Sequence, residues 1–216
     1  MIGITIQVSA TASSISRRWI NGVNLVETMA QNTWQNIPYE QMVRNLFKPM
    51  EKSSDMLIHA CIGIAGEAIE LVNADDVNNF VEEAGDIEFY IEALSQIISP
   101  LELAMVTSGG KHTVGELHQL IVLTGGEILD LGKKHWAYNK PLGKKNIEVQ
   151  LILLRNYIDD LYTYMGLERA FIQLKNKEKL IGPNGRYRDQ IYSDSAAIAR
   201  ADKDLGARSF IGLQKP

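Results

Sequence analysis

The residues best suited to chemistry lie in GEAIELVNADDVNNFVEEAGD, positions 66–86, where Glu67, Glu70, Glu83 and Asp86 stand among alanines, glycines and aliphatics. The members of each pair are three residues apart, a spacing that on a helix puts both carboxylates on one face. Two such pairs on antiparallel neighbours can meet at one point. Unshielded, carboxylates about 6 Å apart at an effective dielectric near 20 repel by roughly 3 kcal/mol per pair, a large share of the ~5–15 kcal/mol that holds a domain folded. A hard cation removes that cost. Mg²⁺ and Mn²⁺ favour oxygen ligands and open, partly hydrated sites that accept phosphates, so the four acids are expected to hold one or two such ions, with Glu82 as a helper. The chemistry this suits is displacement at phosphorus by an activated water. One carboxylate, Glu67 or Glu70, is expected to orient that water as general base instead of ligating, and the spacing does not separate the two roles. A di-iron bundle needs Glu-x-x-His pairs, and none of the four histidines has a glutamate three residues before it. The competing reading is glutamates on solvated helix faces. It is weakened by Gly63, Ala65, Gly66, Ala84 and Gly85, small neighbours that let two helices approach closely.

Helices must position these acids, and helical periodicity dominates the chain. DMLIHACIGIAGEAIELV (55–72) is almost wholly apolar or small, as in a helix buried on several sides. DDVNNFVEEAGDIEFYIEALSQII (75–98) opens on aspartates suited to a helix N-terminus, stops before Ser99-Pro100, and carries Phe80, Val81, Ile87, Tyr90, Ile91 and Leu94 at spacings of three and four. The two helices are joined by a few residues, so they are expected to pack antiparallel. VTSGGKHT (106–113) is the expected boundary, followed by three more helical segments, a loop at GPNGRY (182–187) and a last short helix within 193–205. WINGVNLVETMAQNTWQ (19–35) reads as a helix and MIGITIQV as a short strand. The fold class is therefore all-α, a helical bundle. GEAIEL at 66–71 returns as GEILDL at 126–131, and YIEAL at 90–94 as YIDDL at 157–161, which suggests a duplicated helix pair. The two units would be 1–105, an N-terminal extension plus the copy with the acids, and 106–216, the second copy, integrated in one bundle. In the second copy Val149, Gln150 and Leu153 stand opposite Glu82, Glu83 and Asp86, so its later acids are lost.

Composition narrows the partners. The 216 residues, 45% of them hydrophobic, suffice for one substantial core or two modest ones. A formal charge of -4 and a pI near 5.6 leave no basic excess for general binding to nucleic acid or an anionic membrane. The single cysteine, Cys61, sits in an apolar stretch and reads as a buried small hydrophobe, in keeping with a reducing cytoplasm. No run approaches the ~18–20 apolar residues that span a bilayer, and the N-terminal charges follow the apolar stretch, the reverse of a secretory signal.

GEAIEL followed by VEEAGDIEFYI resembles the all-α nucleoside triphosphate pyrophosphohydrolases, the superfamily of MazG and the dimeric dUTPases, whose signature is E-x-x-E, a gap, then E-x-x-D; here twelve residues separate Glu70 from Glu83. GEILDLGKKHWAYNKPL, NIEVQLILLRNYIDDL and KNKEKLIGPNGRYRDQIYSDSAAIARADKD resemble further segments of the phage and bacterial MazG-like members, so the likeness covers about residues 55–205. Family members assemble from helix pairs of two subunits, and the resemblance implies a fused pseudo-dimer, a tandem duplication with a degenerate second copy. It implies a cytoplasmic hydrolase, in the host cytoplasm if phage-encoded, that converts a nucleoside triphosphate, a deoxynucleotide by expectation, to monophosphate and pyrophosphate. The cofactor would be Mg²⁺, or Mn²⁺. A triphosphate needs cationic partners, and the resemblance offers Lys133, Lys134 and Lys140 in the KKHWAYNKPL insert and Lys175, Asn176, Lys179, Arg186 and Tyr187 in the C-terminal segment. His135 and Trp136 could contact a base, although an aromatic there more often anchors packing, and His59 reads as a core residue. Association of fused pseudo-dimers into a homo-oligomer stays open. So do two other classes: a catalytically inactive nucleotide-binding relative and a structural helical protein.

Overall fold

A computed structural model describes residues 34–98 and 112–199, with the backbone of 19–20 and 23–24. The expected strand at MIGITIQV and the expected boundary between 105 and 106 lie outside these residues. Seven helices follow one another among the described residues: α1 (Tyr39–Leu46), α2 (Ser53–Val72), α3 (Val77–Ile98), α4 (Val114–Tyr138), α5 (Lys144–Met165), α6 (Arg169–Ile181) and α7 (Asp194–Ala199). The fold is an all-α bundle. In place of the start of the helix expected over 19–35, Trp19–Ile20 pairs antiparallel with Val23–Asn24.

The helix limits follow from local chemistry. Asp76 precedes α3 and its Oδ1 accepts from the amides of Asn78 (2.7 Å) and Asn79 (2.9 Å). α4 opens on a capping box: the Thr113 hydroxyl accepts from the Glu116 amide, and the Glu116 carboxylate accepts from the Thr113 amide. It ends at Asn139, in the left-handed conformation at φ 51°, and α5 ends at Gly166 with φ 66°.

α2 is the central element. Its Leu57, Ala60, Cys61, Ile64, Ala68 and Leu71 are buried between α3 on one side and α4 on the other. α3 returns antiparallel to α2, as expected, and the contact is close because Gly63 lies under the Tyr90 ring, where a Cβ would overlap it. α4 crosses α2 antiparallel, with Gly125 against Ala65 and Ala68, Gly132 against Cys61, and Trp136 Nε1 donating to Asp55 (2.8 Å). α5 packs on α4, and the Tyr164 hydroxyl donates to the His112 carbonyl at the α4 start (2.8 Å).

α6 lies along the other face of α3, where Gly85 admits Asn176: a Cβ at 85 would stand 2.8 Å from that of Asn176. The same seam buries a charge network that links α3, α5 and α6. Glu88, fully buried, accepts from Arg169 Nε at 3.0 Å, and Arg169 also pairs with Asp159 at 2.6 Å. Burial, opposed by Arg169, raises Asp159 to about 6. No helix among the described residues is long and apolar enough to cross a membrane.

Candidate metal centre

The α2–α3 hairpin brings three of the expected acids together. Glu67, Glu70 and Glu83 each present a carboxylate oxygen, all within 4.8 Å of one another. Three-residue spacing aligns Glu67 with Glu70, and the antiparallel return of α3 sets Glu83 opposite them. Around an octahedral Mg²⁺ with oxygens at about 2.0–2.1 Å, neighbouring ligands stand about 3 Å apart and opposite ones about 4.2 Å, so the carboxylates need to close by up to about 2 Å, within reach of rotamer changes, to share a cation. The all-oxygen donor set fits a hard ion.

The electrostatics agree with that fit. Burial first, then Asp86, Glu70 and Glu83, raise the Glu67 carboxyl from its ordinary 4.5 to about 8, against a lowering by Lys179. Glu83 is raised too, by burial, then Asp86 and Glu70. Without a cation, burial first and the neighbouring carboxylates second thus favour the protonated forms of Glu67 and Glu83.

Asp86, the fourth expected ligand, stands beside this group and not in it. Its Oδ2 accepts from Lys179 Nζ (2.6 Å) and its Oδ1 from Asn176 Nδ2 (3.0 Å). Lys179 also reaches Glu82 (2.9 Å), which makes Glu82 a lysine partner. Burial lowers the proton affinity of Lys179, but Asp86 and Glu82 more than offset this, and its pKa is raised. Asn176 is buried and accepts a hydrogen bond from the Tyr39 hydroxyl (3.0 Å). The tail residues Asn176 and Lys179 thus meet the acids directly, through α6.

Next to the acids opens a cavity of about 240 Å³, with Glu67 and Asp86 in its wall. Phe47, His59, Phe89, Tyr90, Tyr187 and Tyr192 line it, with Lys48 and Arg186 as its cations. The expected substrate residues Arg186 and Tyr187 are therefore at this site. The chain from Arg186 onward crosses back to α1: the Tyr192 amide donates to the Asn45 carbonyl (3.2 Å), and Lys48 pairs with Asp194 (2.6 Å).

The other expected cations are placed elsewhere. Lys133 and Lys134 both pair with Asp130, one turn back on α4. Neighbouring Gly132 packs on Cys61, which lies about 200° around α2 from Gly63 on the α3 side. Lys175 is exposed and pairs with Glu178 (2.8 Å). Lys140 is exposed beyond the end of α4, where its carbonyl meets His135 Nδ1 (2.8 Å). The physical reason is helix phase: these lysines lie on faces or ends that α2 and α3 do not share. His135 and Trp136 are held near the α2 N-terminus by Lys140 and Asp55, away from the acids. Val149, which the expected duplication sets opposite Glu82, is half exposed and offers no ligand.

Sequence reasoning passed over Phe47, Lys48, Phe89 and Tyr192, and read His59 as core. Phe47 and Lys48 follow the end of α1, Tyr192 precedes α7, and His59 and Phe89 sit within α2 and α3, so no shared spacing or motif marks them. Compared with known proteins, the chain matches no family model, no curated protein and no solved structure.

Proposed function

We propose that this chain is a metal-dependent nucleoside triphosphate pyrophosphohydrolase, releasing monophosphate and pyrophosphate, with deoxynucleotides as its substrates. The observation that carries this is the meeting of Glu67, Glu70 and Glu83 within 4.8 Å, beside an aromatic cavity that shares Glu67 and Asp86. An acid cluster alone would suit a solvated surface. An acid cluster at the mouth of a ring-lined cavity suits a ligand with phosphates at one end and a flat apolar moiety at the other.

Glu67, Glu70 and Glu83 would hold Mg²⁺ or Mn²⁺, with Asp86 recruited once Lys179 moves from it to phosphate. Bound there, the ion supplies Lewis acidity toward a phosphate oxygen and a more acidic water. Glu67 alone belongs to both the acid group and the cavity wall, which makes it the best placed general base; Glu70, exposed at the rim, is the simpler ligand. Lys179 and Arg186 are the cations positioned to neutralise charge building on the leaving pyrophosphate. In this reading α2 and α3 form the metal-bearing repeat and α4 and α5 its degenerate copy.

A catalytically inactive nucleotide binder is favoured by one observation: Lys179 already neutralises Asp86 at 2.6 Å. The deciding experiment is turnover of the common triphosphates with Mg²⁺ or Mn²⁺, reading monophosphate and pyrophosphate separately, on the natural chain and on Asp86→Asn. Pyrophosphate release that depends on metal and is lost in Asp86→Asn supports the hydrolase. Nucleotide binding with no turnover in either metal supports the inactive binder.

A further inference from the structure

The geometry points to His59 as the residue that selects the nucleobase, reading its edge while Phe47 and Tyr90 form apolar walls for the ring. The inference rests on the hydrolase reading for where the phosphates lie, but the cavity and its lining stand independently of it.

His59 lines the cavity with its ring centroid 5.1 Å from that of Phe47 and 5.8 Å from that of Tyr90. It is half-buried, and among the described residues neither ring nitrogen makes a hydrogen bond. Burial and the Lys48 ammonium hold its pKa below the usual imidazole range, so the ring is neutral at pH 7 and offers one N–H donor and one acceptor. That pairing of opposite hydrogen-bonding groups is what distinguishes one base edge from another. The remaining rings, Phe89, Tyr187 and Tyr192, bring flat surface to the cavity, and stacking on aromatic surface tolerates every base. Discrimination needs a polar group; Lys48 and the Tyr192 hydroxyl are both engaged by Asp194, and the hydrolase reading gives Arg186 to the phosphates.

The axial distance fits a nucleoside phosphate. His59 and Glu67 are eight residues apart on α2, about 12 Å along the helix axis, so a ligand extended along the α2–α3 seam has its ring at His59 and its phosphates at the acids. The cavity of about 240 Å³ is smaller than the ~300–1,000 Å³ of pockets that enclose whole ligands. It suits a ring moiety with the phosphates outside it.

The test measures binding of dCMP, dTMP, dAMP, dGMP and base-free 2-deoxyribose 5-phosphate to the full chain by calorimetry in Mg²⁺, with His59→Leu and His59→Gln alongside. The natural protein is expected to prefer one base over the base-free sugar phosphate by about tenfold or more, a hydrogen bond plus stacking. His59→Leu is expected to level the ranking among the four bases, and His59→Gln, which keeps a donor and an acceptor, to retain part of it. A base ranking that survives unchanged in folded His59→Leu overturns the assignment, as does equal binding of all five probes by the natural protein. The Mg²⁺-induced rise in melting temperature, read on the same samples, reports on the acid cluster. Its absence counts against the hydrolase reading and not against His59. Should His59→Leu fail to fold, His59→Gln decides alone: an unaltered ranking among bases overturns the inference, a shifted one supports it.

Discussion

Glu67→Gln in metal-free buffer is the perturbation that most directly probes the cluster. In the native chain Glu67 keeps its proton until about pH 8, whereas in the unfolded chain it ionises near its ordinary value. The native state therefore binds more protons between these limits, and stability falls as pH rises from about 4.5 to about 8. At pH 7 the gap is 2.5 pH units above 4.5, about 3 kcal/mol at 1.36 kcal/mol per unit. Glu67 is only partly buried, and solvent screening reduces this to about 2 kcal/mol. Glutamine fills the same space without titrating, so the variant should be more stable at pH 7 by about 2 kcal/mol, or about 4–8 °C for a chain of this size. The assay is thermal melting in EDTA across pH 5–8, repeated with Mg²⁺. The natural protein should lose stability with rising pH in EDTA and recover it with Mg²⁺, by about 2.7 kcal/mol at a hundredfold excess over Kd. The variant should show a flatter pH profile and a smaller Mg²⁺ response. An unchanged or lower melting temperature at pH 7, with the natural slope against pH intact, refutes the claim that burial and the neighbouring carboxylates disfavour ionised Glu67 at the α2–α3 seam.

Lys179→Ala should raise the KM for triphosphate while the protein stays folded, whereas Lys133→Ala, a residue paired with Asp130, should leave turnover within about twofold, exposed pairs being worth little; equal effects in steady-state kinetics would reverse the assignment of cations. Glu88→Ala should cost about 1.5–3 kcal/mol, since it removes one of the two carboxylates that Arg169 pairs with, and chemical denaturation would expose the error if the loss were under about 1 kcal/mol. Gly85→Ala should force Asn176 away from α3 and cost about 1–3 kcal/mol; a melting temperature equal to that of the natural protein would show that α6 does not sit this close.

What the sequence determined by itself is local. The three-residue spacing of Glu67 with Glu70 and the short link from α2 to α3 are enough to align acids on an antiparallel hairpin, because helix phase depends only on neighbours along the chain. The aspartates before α3 and the Thr113–Glu116 box likewise signal their helix starts where they stand. The same local signal read a helix over 19–35, although Asn21-Gly22 is a hairpin dipeptide and the flanking residues pair as strands. Tertiary structure decided the rest. Lys179 meets Asp86 across 93 positions and Tyr39 meets Asn176 across 137, contacts that exist because Gly85 lets α6 approach α3 and the Glu88–Arg169 pair fixes its register. The cavity joins the end of α1, two helices of the hairpin and the chain beyond α6, so no periodicity within one segment could announce it. Basic residues that look alike in sequence were separated in the same way: Lys179 faces the acids and Lys133 does not, since the face a side chain occupies matters only once a second helix lies against it.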